Sequence, residues 1–343
     1  MSYDVQSDGR LDPRLKAVLT AFDQPAPTDI ESREALLIEA SAPATIERLK
    51  DADALMAFLD SEEAAPSAGL TFTEIDAISQ PDGNGIRLRL IRPEGDAELA
   101  CVYYIHGGGM VSGSIDDPLY RAWSRVIAAK GVAVAMVEFR NAVYANSLDG
   151  VAPFPAGLND CLSGLRWLSA NAATYHVDPK RIVVAGESGG GNLTLALAMS
   201  LKRSNELGLV KGLYAMCPYI VGAYPDARYP STTENNGILI NTLSNRGIVG
   251  YGVEAHEEKN PLAWPDFAST SDVIGFPPTV ISVNECDPLR DEGIAFYRLL
   301  LQSGVAARGR MLLGTFHGAD LATAICPEIS HETARDLATF ATS

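Results

Sequence analysis

Ile182-Val183-Val184-Ala185-Gly186-Glu187-Ser188-Gly189-Gly190 is the stretch whose reading decides the fold of this chain. Its first four residues are apolar without alternation, the pattern of a strand buried on both faces. Gly186–Gly190 then matches G-x-S-x-G, and a helical pattern follows over residues 193–204. A serine on so tight a strand-to-helix turn needs small neighbours, because the backbone there is strained. The start of the helix brings unpaired N–H groups and a positive dipole end beside the hydroxyl, both suited to a developing oxyanion. The pattern alone is weak in a chain this rich in Gly and Ser; its place between strand and helix carries the inference.

The same rhythm repeats on both sides. Apolar runs at residues 99–105, 132–139, 213–216, 279–283 and 311–313 predict strands, and residues 86–91 alternate, with Ile86, Leu88 and Leu90 on one face and Arg87 and Arg89 on the other. Helices are expected at 119–129, 158–170, 294–301 and 332–340. Buried strands alternating with helices predict an α/β protein with a mostly parallel sheet covered on both faces. Two stretches stand outside this rhythm. The first 65 or so residues are Ala-rich and helical: residues 30–40, capped by Thr28 or Asp29, and 45–60, where Ile46, Leu49, Leu55, Met56 and Leu59 fall near one stripe, with Pro25, Pro27, Pro43 and Pro66 as punctuation. Residues 219–261 are rich in Tyr, Asn, Gly and Pro and read as an insertion over one end of the sheet.

The composition sets limits. With 47% hydrophobic and 20% charged residues among 343, the chain has ample material for a core. At about 150 residues per domain the length suggests two domains, though α/β folds often run longer as one. Its 27 basic and 43 acidic side chains leave −16, and no Lys/Arg run offsets this locally. Such a surface disfavours nucleic acid and anionic membrane as partners, and is most simply a soluble one. Cys101, Cys161, Cys217, Cys286 and Cys326 are widely spaced, without metal-ligand or redox spacing, as in a reduced cytosolic protein. The first 15 residues carry charges and no apolar h-region, so no signal peptide is read. Residues 99–115 lack Asp, Glu, Lys and Arg but are interrupted by three glycines, unlike a membrane span. The expectation is a soluble, cytoplasmic protein.

A second signal is His106-Gly107-Gly108-Gly109, directly after the run 99–105. Three glycines leave N–H groups uncovered and able to face a negative oxygen. A phosphate cradle would need a Lys-Ser/Thr ending or dinucleotide spacing, and neither is present. The N–H groups of Gly107, Gly108 and Gly189 are therefore the expected oxyanion donors, with His106 and Gly109 supporting the loop. A nucleophilic serine also needs a base oriented by a carboxylate. His317, in Phe316-His317-Gly318, follows the last strand at the sheet end where ligands gather in parallel sheets. His176 lies in a turn before a strand, His256 in the charged run 254–259, and His331 at the opening of the last helix as a surface or capping residue. For the acid, Asp287 sits in the loop after strand 279–283, with Glu285 as its main rival; Asp291 and Glu292 open the next helix, where acids serve the dipole.

Together, His106–Gly109, Gly186–Gly190, residues 287–293 (Asp-Pro-Leu-Arg-Asp-Glu-Gly) and Phe316-His317-Gly318 resemble the hormone-sensitive-lipase-like (bacterial family IV) esterases of the α/β-hydrolase fold. Supporting stretches are Phe154-Pro155-Ala156, Asp178-Pro179-Lys180-Arg181-Ile182, Asn260-Pro261-Leu262 and Phe276-Pro277-Pro278. The chain order Ser188, Asp287, His317 is that of α/β-hydrolases. The resemblance spans residues 90–317 and implies a mostly parallel eight-stranded sheet flanked by helices, under a helical cap. That divides the chain into cap helices at 1–65 and a catalytic domain at 66–343, with a cap insertion at about 219–261 after the sixth strand. It also implies hydrolysis of short-acyl carboxylic esters through an acyl-enzyme on Ser188, with His317 as base and Asp287 orienting it. No metal or organic cofactor is needed, and a homodimer is common in the family. Lactone, amide or N-acetyl hydrolysis on the same triad, or ligand binding without turnover, are the alternatives; for the last, all three triad positions are nonetheless filled. Departures from the family pattern are Glu187-Ser188-Gly189-Gly190 where Asp-Ser-Ala-Gly or Thr-Ser-Ala-Gly is common, Phe139-Arg140-Asn141-Ala142 where Tyr-Arg-Leu-Ala is, and Ala319-Asp320 in place of a Phe. Glycine at 189 is expected to keep its N–H donor and loosen the turn. Tyr219, Tyr224, Tyr229, Trp264 and Phe267 are candidates for lining a pocket.

Overall fold

Eight strands hydrogen-bond into one sheet: Leu70–Ile78 (β1), Gly85–Pro93 (β2), Leu99–Ile105 (β3), Ala133–Glu138 (β4), Val177–Glu187 (β5), Gly212–Met216 (β6), Thr279–Asn284 (β7) and Ala307–Leu312 (β8). The structure is a computed structural model that describes residues 7–21 and 26–343, so part of the expected N-terminal segment, Pro25 included, lies outside the described residues. The strand order is β1-β2-β4-β3-β5-β6-β7-β8. β2 runs antiparallel to both β1 and β4, and β3 to β8 run parallel to one another.

Pro118–Ala128 (α4), Ala156–Asn171 (α5), Gly189–Arg203 (α6), Arg290–Gln302 (α11) and Pro327–Thr342 (α12) cover the two faces. The period of two along β3 divides the core. Cys101, Tyr103 and Ile105 enter the cluster that holds Leu158 and Leu165 of α5 and Leu195 of α6. Val102 and Tyr104 enter the other, with Trp123, Val126 and Ile127 of α4 and Leu337 of α12. Each aliphatic side chain buried this fully contributes about 1.5–3 kcal/mol, which holds the strand ends in place for what they carry.

β1 has no counterpart among the sequence expectations. It is an edge strand whose alternation is broken by Thr71 and Thr73 on the inner face and by exposed Phe72 and Ile78 on the outer one, while Ile75 and Ala77 are buried. The N-terminal segment holds Pro13–Ala21 (α1), Arg33–Ala40 (α2) and Pro43–Met56 (α3). Ser32, not Thr28 or Asp29, caps α2, accepting the Ala35 N–H at 3.1 Å. The stripe expected on the next helix does not face the core: Ile46, Leu49 and Leu55 are exposed, and only Leu59, in the turn after α3, is buried. Beside buried Leu59, Asp60 pairs with Arg121 and Arg125 of α4 at 2.8 and 2.6 Å.

Between β6 and β7 lie Ser231–Glu234 (α7), Arg246–Tyr251 (α8), Val253–Glu257 (α9) and Thr270–Val273 (α10). This region is stitched to the N-terminal segment. Asn245 accepts the Ile30 N–H at 2.8 Å and donates to the Ile30 carbonyl at 2.9 Å. Arg246 grips Glu39 through two nitrogens at 2.7 and 2.9 Å and donates to the Thr28 carbonyl. Among the described residues no helix is long and apolar enough to cross a membrane. All five cysteines are free thiols and buried.

Candidate active site

β5 ends at Glu187 and α6 begins at Gly189, which leaves Ser188 on the turn at φ +57° and ψ −115°. A non-glycine residue there costs on the order of 1–3 kcal/mol and persists only where its surroundings hold it. Here the Ser188 N–H donates to the Met216 carbonyl at 2.9 Å, and the Ser188 carbonyl accepts from Tyr219 and Asn192, both at 3.0 Å. Gly190 must lack a side chain, because a Cβ would lie 2.0 Å from the Ile105 carbonyl oxygen. At Gly189 a Cβ would lie 2.6 Å from the Met110 nitrogen and 2.8 Å from that of Gly109. Glycine at 189 therefore does not loosen the turn as expected; the space it frees is taken by the glycine loop after β3.

That loop also differs from expectation in which glycines face the serine. The Gly107 N–H donates to the Tyr120 hydroxyl at 2.8 Å, and this hydroxyl donates to Glu187 Oε2 at 2.8 Å. Gly107 is thereby removed from the set of oxyanion donors. Gly108 and Gly109, at φ +92° and +62°, line the cavity with Ser188. Their N–H groups and that of Gly189 have no acceptor among the described residues. His106 is fully buried behind the loop, stacked on Phe139 at 4.3 Å, with Nδ1 2.9 Å from the Gly107 carbonyl oxygen and Nε2 3.5 Å from Glu138.

The loops after β7 and β8 bring Asp287 and His317 together: Asp287 Oδ2 lies 2.8 Å from His317 Nδ1, and its Oδ1 accepts the Leu289 N–H at 2.8 Å. Glu285 is turned away and accepts the Gly314 N–H at 2.7 Å. Asp291 accepts the Ser231 N–H, while Glu292 accepts the Ile220 N–H and the Tyr224 hydroxyl, so both acids anchor the region after β6. Burial opposes a charged His317, but the Asp287 carboxylate outweighs it and holds the imidazole well above its ordinary 6.5. A base must be neutral, so the acid limb of kcat/KM is expected above pH 6.5, with activity rising toward alkaline pH. A pH–rate profile with p-nitrophenyl acetate checks this; a flat rate between pH 5 and 8 would remove His317 from the role.

Glu187 is the site residue that sequence reasoning passed over. Its Oε1 lies 3.6 Å from His317 Nε2, and burial pushes its carboxyl above the usual range while His317 and Tyr120 pull it down. The available signal was a lone carboxylate at the end of an apolar strand. Of the aromatic candidates only Tyr219 lines the cavity. Tyr224 stacks on it, Tyr229 donates to Asp266, Trp264 donates to the Gly252 carbonyl, and Phe267 meets His256 edge-on. His176 closes the turn before β5, and His331 contacts Lys130 rather than capping α12; none of His176, His256 and His331 reaches the cavity.

The cavity holds about 420 Å³. The strand-end loops line it, with Leu289 and His317 among them, and Pro27, Ile240, Thr242, Arg246 and Gly247 line the rest of its wall. A cavity of about 460 Å³ beside β1 and β2 is lined by Ser147 and by Asp76 and Asp149, with no histidine among its lining residues. A serine, an Asp-oriented imidazole and unpaired N–H groups in one cavity can form and break an acyl bond.

A family model described as the alpha/beta hydrolase fold matches residues 102–321. The ethyl acetate hydrolase of Pseudomonas putida is 30% identical over 249 residues, covering 70% of this chain and 73% of its own. The solved structure of esterase Est22 superposes with a TM-score of 0.96 at 51% identity, covering 99% of this chain and all of the other. Brefeldin A esterase, described as a bacterial homologue of human hormone sensitive lipase, superposes with a TM-score of 0.86 at 34% identity, covering 98% and 94%.

Proposed function

We propose, for a chain that belongs to the hormone-sensitive-lipase-like family of α/β-hydrolase esterases and is a carboxylic ester hydrolase, that Ser188, His317 and Asp287 carry the reaction and that short acyl groups are preferred. Ser188 Oγ attacks the ester carbonyl and His317 Nε2 takes its proton. The tetrahedral oxygen is held by the N–H groups of Gly108, Gly109 and Gly189. His317 returns the proton to the leaving alcohol, and water then releases the acid by the same steps in reverse. Asp287 fixes the imidazole tautomer and stabilises the imidazolium. Removing one oxyanion donor typically costs about 10²–10³ in kcat, so the loop geometry contributes alongside the base. The observation that carries this reading is that the elbow serine, the Asp287–His317 pair and the unpaired N–H groups meet in one cavity.

The segment before residue 65 and the region at 219–261 act as a cap, a division supported by their mutual hydrogen bonds above the cavity. The five free, buried thiols support a reducing, cytoplasmic setting. Short acyl preference is supported by Tyr219 standing in the cavity and by the ethyl acetate hydrolase among the relatives. On p-nitrophenyl esters from acetate to palmitate, kcat/KM is expected to peak at two to four carbons, in keeping with the ethyl acetate hydrolase among the relatives. A maximum at palmitate would overturn the acyl assignment and leave the triad standing.

A further inference from the structure

We propose that the same pocket binds a soft divalent cation of the zinc class through Glu187, Cys217 and His317, and that this binding reversibly switches the esterase off. The inference rests on the reading of His317 as the base. The three side chains are buried together, and their ligand atoms all lie within 4.8 Å of one another. The Glu187 Oε1 to His317 Nε2 separation of 3.6 Å is too long for a hydrogen bond. It is close to the edge of a tetrahedral site, roughly 3.3–3.8 Å for metal–ligand bonds of about 2.0–2.3 Å.

His317 is already oriented as a metal ligand. Its Nδ1 is committed to Asp287 at 2.8 Å, which leaves Nε2, 3.6 Å from Glu187 Oε1, as the coordinating nitrogen. A carboxylate behind a ligating imidazole is the usual supporting arrangement at zinc sites. Cys217 is held in place by its N–H, which donates to the Ser282 carbonyl at 2.7 Å. One nitrogen, one sulfur and one oxygen suit zinc and similar borderline-soft ions, and disfavour magnesium and calcium. On binding, Cys217 gives its thiol proton to solvent and the ion takes the lone pair of Nε2. Glu187 and His317 line the cavity together with Ser188, so the three-residue group adjoins it. With that lone pair engaged, Ser188 has no base.

The test adds zinc chloride to the full-length chain during p-nitrophenyl acetate hydrolysis. The expected result is a dose-dependent loss of rate that EDTA reverses. Cys217→Ala and Cys217→Ser, each scored against its own metal-free rate, should raise the half-inhibitory concentration by about tenfold or more. Cobalt(II) gives an independent readout: a thiolate-to-metal charge-transfer band should appear with the unaltered chain and be missing in Cys217→Ala. Equal inhibition of both variants, or no such band, would overturn the site. A band without any ester turnover would instead overturn the esterase assignment and leave the metal site standing.

Discussion

Replacing Ser188 by alanine is expected to lower kcat for p-nitrophenyl acetate by at least about 10⁴-fold, with the fold intact. Loss of the nucleophile from a triad removes the acyl-enzyme route altogether, and what survives comes from binding and the oxyanion donors alone. The substitution is mild in structural terms: Ser188 makes its recorded hydrogen bonds through its backbone N–H and carbonyl, which alanine retains. The left-handed φ of +57° strains alanine as much as serine, so the loss should be chemical rather than conformational. Steady-state rates with matched circular dichroism and thermal midpoints provide the check. A folded variant retaining more than about a hundredth of the rate would mean another residue is the nucleophile.

The second large effect is expected from Asp287→Asn, a loss in kcat of about 10⁴-fold. An amide can still accept the Leu289 N–H through its oxygen, so the loop keeps its shape. Its NH₂ group then faces His317 Nδ1, stabilises the tautomer with the proton on Nε2, and leaves no lone pair to accept the Ser188 proton. The same change removes the charge that holds His317 above its ordinary value, so the residual activity should show its acid limb at lower pH. Glu187 does not compensate, because it lies on the Nε2 side of the ring. A loss smaller than about tenfold, with the acid limb unmoved, would show that Asp287 has no orienting role.

The parts of this site that are local in sequence were legible. The strand, the elbow serine and the helix are neighbours in the chain, and the glycine run directly follows its strand. Asp287 was separable from Glu285 only by position in a loop, and the structure distinguishes them by what each carboxylate accepts. The choice among the glycines was not legible, since Gly107 is withdrawn by Tyr120, a partner that only the folded chain brings to it. β1 escaped notice because an edge strand needs apolar residues on one face alone, and here Thr71 and Thr73 share the face of Ile75 and Ala77 while Phe72 and Ile78 stand on the exposed one. The helical spacing on α3 was real, but spacing says nothing of whether a face meets the core, and its residues remain exposed. The aromatic residues of the insertion were indistinguishable by type. Hydrogen bonds to Glu292, Asp266 and the Gly252 carbonyl occupy Tyr224, Tyr229 and Trp264, and Tyr219 is left to the cavity.

The glycine at 189 has a bearing on how this enzyme can change. Its missing Cβ and the inward position of Gly109 and Met110 form one fitted joint between two segments about 80 residues apart. A single step to the alanine common in related esterases would push against backbone nitrogen atoms rather than a yielding side chain. The two segments are thus epistatic: alanine at 189 becomes acceptable only after the loop has withdrawn, and a withdrawn loop suits glycine poorly. Contacting positions of this kind deviate from additivity by about 0.5–3 kcal/mol. Motif exchange between relatives should therefore carry residues 106–110 and 186–190 together, as one inherited unit.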